Sequence, residues 1–138
     1  MKGNIQYKEG LTFSKEDIKN LYEDAKWSLY TDNMDELMKA ITNSLKVITA
    51  WDKDKLVGLI RVVGDGVSII YIQDILVLKS YKRKGIGGGL IEKVLKNYSD
   101  VRQKVLLTDD TEETRGFYES IGFKSCDNGG LVAFVNFD

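Results

Sequence analysis

Residues 73–95 read QDILVLKSYKRKGIGGGLIEKVL, and the order of chemistry along them decides the fold. The apolar stretch Ile75 to Leu78 runs into a basic turn, Lys79 to Lys84, and then into glycines at 85, 87, 88 and 89. Behind them Leu90, Ile91, Val94, Leu95 and Tyr98 recur at helical spacing. A buried strand, a glycine-rich turn and an amphipathic helix predict the first half of a strand–helix–strand unit. Its second strand, Val105–Thr108, should lie parallel to the first through a right-handed crossover. Glycines let backbone amides approach a ligand with no side chain in the way. The helix that starts there aims unpaired amides and the positive end of its dipole at the same point. Lys82, Arg83 and Lys84 add mobile positive charge. These parts describe a site for a phosphorylated ligand such as a pyrophosphate. A dinucleotide fingerprint would need glycine where Leu90 stands, and a P-loop would need Gly-Lys-Ser/Thr, so both are excluded.

Working outward, Asn4–Lys8 reads as a short strand. Ser14 then opens a helix, with Asp17 three residues on in a capping-box arrangement. A second helix from about Asn33 carries Met34, Leu37, Met38, Ile41 and Leu45 on one face. The period then changes to that of strands. Val47–Trp51 and Leu56–Val63 flank the polar turn Asp52-Lys53-Asp54-Lys55. Gly64-Asp65-Gly66 turns the chain into Val67–Leu78, whose near-continuous apolar run predicts burial on both faces. Past the crossover, Thr111–Ser120 reads as a helix, and Phe123–Cys126 and Leu131–Phe137 read as strands. The class is α/β: a mixed, mostly antiparallel central sheet with one parallel strand–helix–strand unit, flanked by helices. A length of 138 residues without repeats or linkers predicts one domain over 1–138.

Composition narrows the chemistry. Lys plus Arg is 20 and Asp plus Glu 21, so a net charge of −1 gives no pull toward nucleic acid or an anionic membrane. With no His and a single Cys126, the chain has no disulfide framework, no Ser-His or Cys-His relay and little zinc chemistry, and we expect no metal. Cys126 lies in a strand pattern with no basic partner and reads as core. The polar start MKGNIQYKEG has no apolar signal core, and no apolar run approaches the roughly 20 residues of a membrane helix. The expected location is cytoplasmic.

The turn Lys82-Arg83-Lys84-Gly85-Ile86-Gly87 resembles the acetyl-CoA motif of the GNAT acetyltransferases, Q/R-x-x-G-x-G/A, with Lys82 replacing the usual Gln or Arg and Lys79 standing where many members have Pro. The segment TRGFYESIGF is similar to the other GNAT hallmark, a helix bearing Tyr followed by Gly-Phe, here Phe117, Tyr118, Gly122 and Phe123. The order of elements also resembles the family across almost the entire chain. The resemblance implies acetyl-CoA as cosubstrate, held by Leu76, Val77, Leu78, Lys82, Arg83, Lys84, Gly85, Ile86, Gly87 and Gly88. In it the backbone of Leu76–Leu78 meets the pantetheine arm, and the Val77 amide polarises the acetyl oxygen. It implies that Tyr118 donates to the departing thiolate, a role a phenol can fill. Thr111 and Thr114 occupy positions where the family often has Asn and Ala.

Direct attack by a neutral amine requires a proton to leave, and without His the acceptors of that proton are carboxylates or water. Asp74, inside an otherwise apolar strand, is a candidate base and equally a carboxylate capping buried amides; Asp109 and Asp110 are alternatives. Tyr22, Trp27, Tyr30, Asp32, Asn33 and Asp35 supply aromatics beside carboxylates, which suit a cationic amine and equally suit an amphipathic surface. The acceptor class, a small-molecule amine, a peptide amino terminus or a protein lysine, is open at this level. Two other readings compete with an N-acetyltransferase: an acyl-CoA sensor without turnover, and an interaction domain dimerising through an exposed sheet edge.

Overall fold

The computed structural model describes residues 4–138; the first three residues of the polar N-terminal stretch lie outside the described residues. Two compact units make up the chain, one ending at Leu106 and the other running Leu107–Asp138.

The first unit is built on a five-stranded sheet in the order β1-β2-β3-β4-β5. The strands are β1 (Ile5–Glu9), β2 (Lys46–Asp52), β3 (Lys55–Gly64), β4 (Ile69–Val77) and β5 (Gln103–Leu106). The first four pair antiparallel, and β4 pairs β5 in parallel. Both hairpin turns fall where the sequence places them. At the β3–β4 turn Asp65 accepts from the amides of Val67, Ser68 and Ile69.

Helix α1 (Lys15–Asp24) starts with the capping box foreseen at Ser14 and Asp17. Helix α3 (Met34–Thr42) is capped by Asn33 and stops before Leu45, which is left 37% exposed. Between them lies α2 (Ser28–Thr31), a single turn that the sequence pattern did not reveal. Helix α4 (Ile86–Asn97) makes the crossover from β4 to β5.

The two faces of the sheet are covered differently. A Cβ at Gly58 would lie 3.1 Å from Ile86 and 3.3 Å from Leu90, so α4 packs closely over β3 there. Tyr22 of α1 reaches Asp74 of β4, the cross-strand partner of Arg61, on the opposite face. Strand β3, between these layers, is buried from Leu56 to Val62. Strand β4 is buried less continuously than expected: Ile70, Ile72, Asp74, Leu76 and then Leu78 are buried, while Gln73 is exposed and the alternate positions are half-buried. The ladder with β3 slips at Gln73, so Ile70 and Ile72 lie on the α4 face and Asp74 and Leu76 on the α1 face, and both faces contribute to the core.

In the second unit, α5 (Glu112–Ser120) is capped by Thr111, and Gly122 just beyond its end takes a left-handed φ of +100°. The two last expected strands are absent. Arg115 holds Ser125 and Asp127, and Cys126–Asn128 forms a 3-10 turn instead of extended chain. Cys126 is exposed, not core. Leu131–Phe137 has strand-forming residues, but strand propensity acts through cross-strand packing, and this unit contains no strand to pair with. Leu131, Val132, Phe134, Val135 and Phe137 are exposed.

Candidate active site

The half-open strand β4 leads directly into the glycine turn. Strand β5 pairs only with Ile69–Ile72, so among the described residues no strand covers the β4 edge from Gln73 to Val77. Amide directions along that edge follow from one bond. Leu78 donates to the Val57 carbonyl at 2.9 Å, and N–H groups alternate sides along a strand. The amides of Leu76 and Leu78 therefore face β3, and those of Ile75 and Val77 face the uncovered side. Val77, singled out from sequence, is presented outward. Ile75 is too, and the sequence reading missed it because amide direction depends on register. Leu76 and Leu78 instead contribute buried side chains.

After Leu78 a 3-10 turn, Lys79–Tyr81, redirects the chain. Asp24, at the end of α1, accepts from the Lys79 amide at 2.8 Å and ties this turn to the first helix. The Tyr81 ring lies beneath the ammonium groups of Lys84 and Lys55, at 5.0 and 5.5 Å, and its hydroxyl donates to Asp52 of the β2–β3 turn. That hydrogen bond raises the Tyr81 phenol above its ordinary range. Lys82, Arg83 and Lys84 are exposed. Arg83 (φ 66°) and Gly85 (φ 82°) are both left-handed; strain of this kind at a non-glycine residue concentrates at ligand-binding turns.

Gly85 is the N-cap of α4 and has no side chain to cap it. The first intrahelical bond runs from Gly89 to the Gly85 carbonyl, so the amides of Ile86, Gly87 and Gly88 have no acceptor within the helix. A Cβ at Gly85 or Gly88 would meet nothing within 4 Å, so neither position is packed against a neighbour. Ile86 turns inward and is buried. The arrangement fits a ligand with a diphosphate at the helix end and an amide-bearing arm along β4, as acetyl-CoA has.

Asp74 sits behind the β4 edge, 2% exposed. Its Oδ2 accepts from Arg61 Nε at 2.8 Å and from the Tyr22 hydroxyl at 2.8 Å, and its Oδ1 accepts from the Tyr30 hydroxyl at 3.1 Å. Arg61 also donates to Ser44. Burial, and then the Asp74 carboxylate, push the Tyr22 phenol far above its ordinary value. Both oxygens of Asp74 are occupied by donors inside the protein. This geometry favours a structural role for Asp74 over direct contact with a substrate amine, though its donors are a guanidinium and two phenols and not the buried amides expected. Sequence inspection could not find Arg61 as its partner, since the two are joined only by strand register. Of the other acceptor-side residues, Trp27 and Tyr30 pack on Tyr22 with ring centroids 5.9 and 5.3 Å away. Asp35 is drawn off to Lys15 at 2.9 Å, and Asn33 is spent as a helix cap.

In the second unit, Tyr118 packs edge-on against Phe117 and Phe123, at 4.9 and 5.9 Å. Among the described residues its hydroxyl has no hydrogen-bond partner, and burial raises its pKa. The phenol therefore stays protonated at neutral pH and keeps a proton to donate. Asp110 is paired with Arg115 at 2.6 Å, whereas the Asp109 side chain is exposed. Thr111 and Thr114 bond each other at the start of α5.

The family model for the acetyltransferase (GNAT) domain matches residues 9–137. Among solved structures, a GNAT-family acetyltransferase from Streptococcus pneumoniae TIGR4 is 36% identical, covering 97% of this chain and 99% of its own, with a TM-score of 0.83. A probable acetyltransferase from methicillin-resistant Staphylococcus aureus is 29% identical over 95% of this chain and 99% of its own, with a TM-score of 0.73. AAC(6')-Iy, solved with the bisubstrate analogue CoA-S-monomethyl-acetylneamine, shares the fold at 14% identity, with a TM-score of 0.73 over 96% of this chain and 97% of its own. With a sheet whose fourth strand opens onto a glycine-capped helix, and a family model spanning both units, this chain belongs to the GNAT acetyltransferase family.

Proposed function

We propose that the chain transfers the acetyl group of acetyl-CoA to a primary amine, on a small molecule or peptide, by direct attack within a ternary complex. One observation carries the reading: the β4 edge that β5 leaves unpaired leads to a helix N-terminus whose first amides have no acceptor within the helix. Acetyl-CoA supplies the acyl group already activated as a thioester. The chain's own residues do the rest. The amides of Ile86, Gly87 and Gly88 bind the diphosphate, with Lys82, Arg83 and Lys84 adding charge. The outward amides of Ile75 and Val77 hold the arm and orient the acyl oxygen, where an aimed N–H stabilises developing negative charge. Tyr118, assigned on the motif and on its protonated state, holds at its hydroxyl the proton offered to the departing sulfur.

The coenzyme bound by AAC(6')-Iy in its analogue complex supports this cosubstrate, and the acetylneamine portion supports an amine acceptor. We take the two units as parts of one domain, because the family model spans both. No helix among the described residues is long and apolar enough to cross a membrane, which agrees with a cytoplasmic location. Calorimetry tests the cosubstrate: acetyl-CoA should bind, and NAD and ATP should bind far more weakly. Equal affinity for all three, or no binding of acetyl-CoA, would overturn the assignment.

A further inference from the structure

The Tyr30 hydroxyl has both a fixed proton and a fixed place. It donates to Asp74 Oδ1 at 3.1 Å and accepts from Gln73 Nε2 at 3.2 Å. With its single proton committed to the carboxylate, the phenolic oxygen can offer an incoming group only its remaining lone pair. Tyr22 donates to the same carboxylate but is fully buried, so it is closed to any ligand. Tyr30 is only half-buried and lies beside exposed Gln73, where β5 ends and the uncovered edge of β4 begins. Gln73 is two residues from Ile75, about 7 Å along a strand, so the hydroxyl lies near the near end of the outward amides. The Trp27 ring is 5.9 Å from that of Tyr30, and aromatic faces attract cationic amines.

From this placement we infer that Tyr30 is the residue that binds the acceptor amine, its phenolic oxygen accepting an N–H of the substrate. Asp74 and Gln73 are positioning residues that hold that oxygen, and Arg61 holds Asp74. The proton released on acetylation goes to solvent, since both Asp74 oxygens are already hydrogen-bonded. This inference rests on the acetyl-transfer reading above but concerns the acceptor alone.

The test titrates the wild-type protein, saturated with coenzyme A, with spermidine, tyramine and neamine. The readout is the indole N–H resonance of Trp27, assigned by its loss in Trp27→Phe. At least one amine should shift that resonance. In Tyr30→Phe its dissociation constant should rise about tenfold or more, as expected for one lost hydrogen bond to a charged group. The coenzyme affinity from calorimetry should hold, and KM for the amine should rise more than kcat falls. Gln73→Ala, at an exposed position that folding tolerates, should weaken the amine by a smaller factor, and it carries the test should Tyr30→Phe not fold. A merely structural tyrosine would lower the melting temperature and leave amine affinity unchanged, which would overturn the inference. So would the absence of any Trp27 shift in the wild type. A shift that Tyr30→Phe weakens, without acetyl transfer to any amine, would sustain this contact while refuting the acetyl-transfer reading.

Discussion

Replacing Asp74 by Asn separates a structural carboxylate from a catalytic base. The wild-type carboxylate receives three donors: Arg61 Nε, Tyr22 and Tyr30. Asparagine keeps one oxygen and turns a second set of N–H donors toward groups that are themselves donors. Arg61, with a side chain 6% exposed, would be left as a buried charge without its counter-ion. Breaking a buried pair on one side costs roughly 3–5 kcal/mol, against a whole-protein stability of about 5–15 kcal/mol. At roughly 2–4 °C per kcal/mol for a chain of this size, the midpoint should fall by about 10 °C. The double variant Arg61→Met with Asp74→Leu should lose less than Asp74→Asn alone, because it leaves no unpaired charge. Urea unfolding and thermal melts on the three proteins measure this. A well-folded Asp74→Asn with near wild-type stability, and a pH–rate profile lacking one ionisation, would refute the reasoning and restore Asp74 as the base.

Three further expectations use independent parts of the molecule. Tyr118→Phe keeps the ring packed on Phe117 and Phe123, so kcat should fall about 10²-fold while acetyl-CoA affinity holds; normal turnover with a shifted melting point would make it a core residue only. Gly85→Ala with Gly87→Ala forces a Cβ onto the left-handed Gly85 backbone, a strain of about 1–2 kcal/mol, and should weaken acetyl-CoA by about tenfold or more in calorimetry. Asp65 is held below the ordinary aspartate range by Ser68 and by the amides of Val67, Ile69 and Ser68. A depressed folded pKa means that this stabilisation is complete above about pH 4 and is lost as pH falls through the folded value. Asp65→Ala should therefore be less stable at neutral pH and show a flatter acid dependence in denaturant titrations from pH 7 to 2.

What could be read from the sequence was local. The capping box at Ser14, the helix start near Asn33, the Gly64–Gly66 turn and the glycine start of α4 each depend on neighbours within a few residues, and each is where the pattern placed it. The site's other half depends on register. That β5 pairs with only four residues of β4, that Ile75 faces out beside Val77, and that Arg61 meets Asp74 are results of strand pairing across the sheet. Helix α2 escaped notice because four residues are too few to show a period. The strands expected at Phe123–Cys126 and Leu131–Phe137 rested on residue type alone. Arg115 closes the first segment into a turn through Ser125 and Asp127, and the second has no partner strand in its unit.

Acetyl transfer itself is tested most directly by incubating the protein with acetyl-CoA and an amine library while following free thiol and product mass together. The account predicts thiol release that depends on one class of amine and is matched, mole for mole, by an amine carrying one added acetyl group. Tight acetyl-CoA binding with no amine-dependent thiol release across the library would contradict it and leave an acyl-CoA sensor.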